Sequence, residues 1–465
     1  GAVYVADWYN PIIQHGEVDF RDPRRDHENG RIWRISKKDS PSVIVPDLAG
    51  ASISELLDYL QLPEAWTRDQ VRRLLKEKGQ KAVLESLDGW MTNLDPDDPG
   101  YERLLLEGFW VYQSLGVTRE QALEKLLDAS EPLVRAAAVR SLFFQYEDYS
   151  NAYQYLVRAV EDEDPVVRLE AVIALRKASD PGAAAVATNA LDQEMDQNID
   201  FALWQTVREL EGVWYPEYEA NKDYFGGNVK KAFALKSITA PTAIIDLVDM
   251  YLGGQLPADY RKDFFGSVTK FGNARSLSTI LNRVLQHEDN REELLDVLIN
   301  SMEQRNVHPE TDLSRIAKLF GVEDPEVARK SIALASLWGL EQYRPQFIEW
   351  AKRDDQTESE TGIAALASLG DDKSLEALLE LAGKEYGEEI RSTAISHLVS
   401  RDAKAASMQA VSLWSDLDEE EKISKLLSAF FANQNGVKEL GRVLSESGGA
   451  SDQVSRVGLQ MISTM

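Results

Sequence analysis

The 465-residue sequence contains no cysteine. This absence excludes disulfides, thiolate metal sites, cysteine nucleophiles and a covalently attached c-type haem within this chain. The sequence also has no apolar run near the roughly 20 residues needed to cross a bilayer. We therefore expect no membrane insertion by this chain.

Basic residues are scarce beside acidic ones, with 51 Lys and Arg against 78 Asp and Glu, for a net charge of −27. Such a surface repels phosphate backbones and anionic lipids, so we predict no nucleic-acid partner. Proline is also scarce at 16 residues, while hydrophobic residues make up 43% of the sequence. This composition is typical of an ordered, mostly helical protein.

Motifs for catalysis or metal binding are missing as well. The five histidines are scattered and form no His-Glu-x-x-His motif. The stretch 95–106 has Pro99 and Leu106 where a calcium-binding loop needs oxygen ligands. No phosphate-binding glycine loop and no Gly-x-Ser-x-Gly elbow occur. We predict no catalytic residue, no metal and no cofactor in this chain.

A helical pattern begins at about residue 52, and several helices open in the same way. Glu131-Pro132 and Asp164-Pro165 each begin the pattern Pro-x-Val-Arg-x-x-Ala, with looser copies at 324–329 and 388–394. An Asp before the helix accepts hydrogen bonds from free N–H groups, and Pro at the first position loses no bond. We expect the Val to face the core and the Arg to reach a carboxylate on a neighbouring repeat.

This spelling resembles the second helix of HEAT repeats, most clearly over 118–192 and more weakly over 322–414. The resemblance implies an all-α fold, an α-solenoid of HEAT-like helix pairs, over residues 49–465. A solenoid also suits a chain too long for one compact core, because each repeat packs on its neighbours.

Residues 1–48 differ from the rest. Two runs rich in Val, Ile, Tyr and Trp predict a short β-hairpin. Because an isolated two-stranded sheet is marginal in water, we expect this hairpin to be the end of another domain. We expect Trp8 and Trp33 to pack against the first helices.

One helical segment carries a possible binding hot spot. Trp204 and Arg208 lie four residues apart and share a helix face, and Trp214 follows after a turn. Aromatic and Arg clusters are typical of interfaces. The alternative is that Trp204 and Trp214 fill the core of one repeat.

The N-terminal residues and the segment 198–216 together resemble the large membrane-bound dehydrogenases of planctomycete and verrucomicrobial type. The matching N-terminal residues are Asp7, Trp8, Tyr9, Asn10, Pro11, His15, Arg24, Asp26, Gly30, Arg31 and Arg34. Gln14 departs from the Gly that is common before that His. The resemblance implies that residues 1–48 are the remnant of a β-propeller, similar to quinoprotein sugar dehydrogenases. It further implies that a cytochrome c domain follows the repeats, and that the protein is exported or periplasmic. Quinone and haem c are implied only for those missing domains.

Asp7, Asn10, His15, Arg24 and Asp26 are the candidate binding residues of the N-terminal segment. The functional interpretation is that they line the propeller mouth or its junction with the solenoid. The structural interpretation is that Asp and Asn hold a turn and that Arg-carboxylate pairs fix a loop.

Three functions remain open. The chain could be a non-catalytic scaffold that positions its own propeller and cytochrome domains or another protein. Its N-terminal segment could contribute to a sugar or alcohol dehydrogenase site. It could instead be an independent HEAT adaptor whose acidic surface binds a basic protein.

Overall fold

The computed structural model describes residues 2–7, 19, 21–38, 44–415, 417 and 419–464. The chain divides into two compact units, residues 1–155 and residues 156–465. In the described ranges, every helix is too short or too polar to span a bilayer.

The first unit opens with the predicted hairpin. Strand β1 (Ala2–Asp7) pairs antiparallel with β2 (Arg31–Ser36), and Asp7 lies opposite Arg31. The apolar side chains of both strands are exposed, with Ile32 at 76% and Trp33 at 50%. The Trp33 indole contacts Asp7 and Arg31 of the hairpin itself. The expectation that Trp33 is buried against the first helices is therefore wrong, and Trp8 lies outside the described residues.

The remainder of the first unit is helical. Its helices are α1 (Ile53–Tyr59), α2 (Ala65–Lys78), α3 (Gln80–Thr92), α4 (Tyr101–Ser114), α5 (Glu120–Leu127) and α6 (Pro132–Phe144), followed by a 3-10 turn at Tyr146–Asp148. Ser52 and Glu55 form a capping box that fixes the start of α1. Apolar side chains spaced three and four residues apart, such as Leu56, Leu57 and Leu60, then face a shared core.

Helix α7 (Ala152–Ala159) lies across the division between the units. The second unit contains α8 (Pro165–Ala174), α9 (Ala183–Ala187), α10 (Gln197–Glu209), α11 (Glu211–Ala220), α12 (Asn228–Ser237), α13 (Pro241–Leu252), α14 (Arg261–Phe271), α15 (Ala274–Gln286), α16 (Arg291–Arg305), α17 (Pro325–Leu337), α18 (Arg344–Ala351), α19 (Gln356–Leu369), α20 (Asp372–Leu381), α21 (Glu388–Leu398), α22 (Ala403–Trp414), α23 (Glu420–Phe431), α24 (Gln434–Glu446) and α25 (Asp452–Thr464). Its 3-10 turns are Leu175–Lys177, Thr188–Asp192, Ala258–Tyr260, Leu313–Leu319 and Glu341–Tyr343. Alternate helices stack side by side, as α17, α19 and α21 do.

The repeated helix openings behave largely as predicted. Asp164 caps α8 through the Val166 N–H, and Asp324 caps α17 in the same way, each with Pro at the first helical position. Val167 and Val327 are buried, as expected. The other two copies differ, because α6 has no side-chain cap and α21 begins after a glycine.

The arginine of the repeated helix opening has a different partner from the one predicted. Arg168 is almost fully buried and donates to the backbone carbonyls of Asp162, Glu163 and Glu194. The prediction of a carboxylate partner is wrong for this residue, because its guanidinium donates to backbone carbonyls instead. The arginine therefore ties the helix to the turn before it.

The same arrangement reveals a repeat that the sequence pattern missed. Arg68 on α2 donates to the carbonyls of Leu62 and Pro63, six and five residues earlier. Arg135 makes the same pair of bonds to the turn before α6. Pro63 lies outside the helix instead of at its first position, so the Pro-x-Val-Arg spelling is absent there.

These observations confirm the fold class, an all-α solenoid of HEAT-like helix pairs preceded by a short β-hairpin. The division at residue 49 and the repeat ranges 118–192 and 322–414 stay predictions. Each of the two units is built from stacked helices that bury leucine, valine and alanine against their neighbours.

Candidate functional site

Asp7 is held inside the hairpin. Its Oδ2 accepts a hydrogen bond from the Trp33 indole at 3.0 Å and lies 3.4 Å from Nε of Arg31 on the opposite strand. The Arg31 guanidinium also lies over the Trp33 ring, 5.1 Å from its centroid. Asp7 thus joins β1 to β2 on one face of the hairpin.

Arg24 and Asp26 make local contacts. Arg24 forms two hydrogen bonds to Asp22, at 2.9 and 2.7 Å, which hold the pKa of Asp22 well below its usual range. Asp26 accepts from the Asn29 side chain and from the backbone N–H groups of Glu28 and Asn29, and these bonds lower its pKa. Such contacts are those of a loop-fixing role.

Asn10 and His15 lie outside the described residues. The structure therefore brings together Asp7 with Arg31 and Arg24 with Asp22, and places Asp26 in its own turn. A binding role for the N-terminal candidates stays a prediction.

Trp214 on α11 is a core residue. It is fully buried, and its indole N–H donates to the Val207 carbonyl at 2.8 Å. Its ring makes edge contacts with Phe225 at 5.1 Å and Tyr218 at 6.1 Å, and stacks near Tyr224. Trp214 therefore offers no surface to a partner, and the core-filling interpretation describes it.

Trp204 on α10 is placed differently, on the surface-facing side of its helix. Its ring stacks on Phe201 at 5.8 Å, and the Arg208 guanidinium lies over it, 5.4 Å from the centroid. Phe201 is 61% exposed, and Arg208 is also exposed. Trp204 and Arg208 thus form a surface cluster that does not include Trp214.

This cluster borders a groove, which we call the Trp204 groove. Its volume is about 460 Å³, near the lower end of the range of about 300 to 1,000 Å³ that is usual for ligand pockets. The residues that line it are Trp204, Lys236, Lys262, Asp263, Gly266, Ser267, Lys270 and Phe271. They come from α10, α12 and α14, and α12 packs against both of the other helices.

The lysines of the groove fall into two kinds. Lys236 is largely buried, pairs with Asp263 at 2.8 Å and lies over the Tyr260 ring at 4.6 Å. Lys262 and Lys270 are exposed and make no ion pair with any residue that the structure describes. The floor of the groove is therefore neutralised, while its α14 wall carries two available positive charges.

Tyr260 contacts Lys236, one of the residues that line the groove. Burial raises its pKa to about 12, and the nearby carboxylates Asp200, Asp259 and Asp263 act in the same direction. The phenol is thus neutral at physiological pH. It supplies an aromatic face to Lys236 and no ionised group.

The sequence predicted Trp204 and Arg208 but missed the lysines. Lys262, Gly266 and Lys270 recur every four residues and therefore share one face of α14. That spacing was readable from the sequence. The placement of this face opposite Trp204 was not, because it depends on how three separate helices pack.

No metal site stands out in the described ranges, where His, Asp and Glu form no group of three able to hold an ion. The chemistry available at the Trp204 groove is instead non-covalent. Cationic and aromatic side chains can bind carboxylates and apolar groups.

Two family models match parts of the chain. HEAT repeats match residues 120–204, and a domain of unknown function, DUF7133, matches residues 1–39. No curated protein matches the sequence.

The chain is similar to several solved helical-repeat structures at low identity. The karyopherin Kap121p bound to the extreme C-terminus of the protein phosphatase Cdc14p has a TM-score of 0.45 and 13% identity, over 87% of this chain and 53% of that one. Kap121p bound to RanGTP has a TM-score of 0.43 and 12% identity, over 87% and 55%. Importin beta has a TM-score of 0.39 and 12% identity, over 89% and 62%. The chain thus spans between half and two thirds of the length of these structures.

Proposed function

We propose that this chain is a non-catalytic helical-repeat scaffold within a larger dehydrogenase. In this proposal a β-propeller precedes the repeats and a cytochrome c domain follows them. Quinone and haem c belong to those domains, and the protein is exported or periplasmic. The scaffold acts through geometry, because stacked repeats present an extended face on which other domains or proteins can bind.

The observation that carries the proposal is the exposed hairpin. Its apolar residues Ile32, Trp33 and Ile35 are between 50% and 76% exposed, whereas the helices of both units bury most of their apolar residues. In the described residues, β1 and β2 pair only with each other, so each keeps one edge open to a further strand. The separate match of residues 1–39 to a family model other than HEAT repeats also supports a distinct origin for the hairpin.

The test compares this chain with the full-length protein. Ile32→Asp should leave the melting temperature of this chain unchanged, because Ile32 is 76% exposed. In the full-length protein it should lower the melting temperature by several degrees, because a charge would then be buried in a sheet contact.

Ile44→Asp is the matched control, since Ile44 is 90% exposed and lies outside both strands. This control should leave the melting temperature of both proteins unchanged. An equal effect of Ile32→Asp in the short and the full-length protein would contradict the proposal, because the hairpin would then have no partner beyond this chain.

A further inference from the structure

We propose that the Trp204 groove binds a short extended segment of an acidic polypeptide. An apolar side chain of that segment would contact Trp204, and carboxylates on either side of it would contact Lys262 and Lys270. The inference deepens the proposed scaffold role, on which it rests, by assigning a binding surface and the chemistry of its partner.

The charge of the groove is opposite to that of the chain. Acidic residues outnumber basic ones by 78 to 51 in the whole sequence, yet the groove lining contains three lysines and one aspartate. That aspartate, Asp263, is already paired with Lys236. Lys262 and Lys270 remain for a ligand, and Arg208, which lies over the Trp204 ring, also has no carboxylate partner in the described part of the chain.

Another region of the same unit shows why unpaired lysines are informative. On α23, Lys422 lies within 3.5 Å of carboxylate oxygens of Glu388, Glu389 and Glu419. In a chain rich in carboxylates, a lysine near other helices readily finds partners of its own. Because these glutamates are already paired with Lys422, they are less available to a basic partner. The groove lysines have no such pairing and are available to an acidic partner.

Aromatic side chains give the groove an apolar side. Trp204 is stacked between Phe201 and Arg208 along α10 and is therefore held in place before any ligand arrives. Phe271 at the end of α14 is 40% exposed and also lines the groove. A rigid Trp with a second aromatic nearby is a typical anchor site for an apolar side chain.

The spacing of the two lysines fits an extended peptide. Lys262 and Lys270 are eight residues apart on α14, or about 12 Å along the helix axis. In an extended strand, residues four apart are separated by about 13 Å. Acidic residues at the first and fifth positions of an extended segment would therefore meet both lysines, with the apolar residue between them.

Gly266 lies between Lys262 and Lys270 on α14 and has no side chain to project into the groove. It is exposed, and a Cβ placed there would meet no atom within 4 Å. Packing therefore does not require a glycine at this position. A larger side chain at 266 should obstruct the groove without disturbing the fold.

An acidic polypeptide fits this site better than a nucleic acid does. The net charge of −27 repels a long phosphate backbone, whereas a segment of a few residues meets only the local lysines. A groove of about 460 Å³ also holds a few side chains rather than a track of stacked bases.

The experiment measures fluorescence anisotropy of a labelled five-residue acidic core, Glu-x-Leu-x-Glu, within a longer neutral peptide, titrated with the whole chain. We expect saturable binding that weakens at high salt. The double variant Lys262→Glu with Lys270→Glu should weaken binding about tenfold or more, because two attractive contacts become repulsive. Gly266→Leu should abolish it, and Trp204→Ala should weaken it.

The matched control is Lys373→Glu with Lys384→Glu, two exposed lysines of the same unit outside the groove. It should bind the acidic peptide as the unmodified chain does, and all variants should retain their helical circular dichroism. Unchanged affinity in the Lys262 and Lys270 variant, or an equal loss in the control, would overturn the proposal.

Two further probes separate this inference from the scaffold role. A peptide with Lys in place of each Glu that binds equally well, and is lost with Gly266→Leu, would overturn the acidic partner but leave a protein-binding groove. A single-stranded oligonucleotide that binds the groove more tightly than the acidic peptide would overturn the polypeptide assignment. Neither result affects the hairpin test of the scaffold role.

Discussion

The hairpin and the helical units use the same residue types in opposite ways. Ile32 of the hairpin is 76% exposed, whereas Ile244 in α13 is fully buried. Each helix of a stack has neighbours on two sides and can bury its apolar stripe within the chain. A two-stranded sheet has no second layer of its own, and it depends on a partner for the same burial. The comparison separates helical units that bury most of their apolar residues within the chain from a hairpin whose apolar residues stay exposed.

The largest expected loss of stability is at Trp214, and Trp33 of the hairpin provides the comparison. Trp214→Ala should destabilise residues 156–465 by about 4 kcal/mol, because it empties a buried aromatic site and leaves the Val207 carbonyl without its donor. Trp33→Ala should cost less than about 1 kcal/mol in this chain, because that ring is half exposed. Urea unfolding followed by circular dichroism measures both.

Similar losses for the two variants would break the comparison. In that case the hairpin would contribute to the stability of this chain as a core element does. Phe201→Ala, which removes an aromatic ring from the exposed side of α10, is a control and should resemble Trp33→Ala.

The helix openings could be predicted because their causes are local. Asp164 and Asp324 cap their own helices. The following Pro occupies the first helical position, and the Val two residues later lies on the buried side of the helix. The partner of Arg168 could not be predicted, because it depends on where the previous turn and a loop from the next repeat bring their carbonyls. Sequence patterns predict where a helix begins and which of its residues are buried. They do not predict which atoms of neighbouring elements its side chains contact.

The site was predicted in part for the same reason. Trp204 and Trp214 look alike in the sequence, and only the packing places one on the surface and the other in the core. The lysines opposite Trp204 come from other helices, so no single stretch of sequence reveals the groove.

A buried carboxylate in the helical part of the first unit provides a second comparison with the hairpin region. Glu107 on α4 is 2% exposed and accepts hydrogen bonds from Arg68, at 2.6 Å, and from Arg72. Glu107→Gln should destabilise residues 1–155 by about 3 kcal/mol, because it leaves two arginines beside a neutral group. Chemical unfolding monitors the loss.

The corresponding pair near the hairpin is exposed. Asp22→Asn removes the partner of Arg24, whose side chain is 69% exposed, and should change stability much less. A larger effect for Asp22→Asn than for Glu107→Gln would contradict the view that the helical units carry the stability.

The smallest effect is expected for Arg24 in the proposed larger dehydrogenase. Because Arg24 is engaged with Asp22 and fixes a loop, Arg24→Ala should change any dehydrogenase turnover less than about twofold. The scaffold proposal likewise predicts no large loss of turnover for His15→Ala. Steady-state assays with quinone supplied measure both, and a loss of turnover without a loss of folding would favour an N-terminal contribution to an enzyme site.

Hydrogen exchange of this chain in isolation tests the central claim most directly. We predict that amides of β2, from Arg31 to Ser36, exchange at rates within about tenfold of an unfolded peptide. Amides at buried positions of α10, such as Leu203 and Val207, should be protected far more strongly. Equal protection of the hairpin and α10 would contradict the account, because it would show that the hairpin is stable without a partner outside this chain.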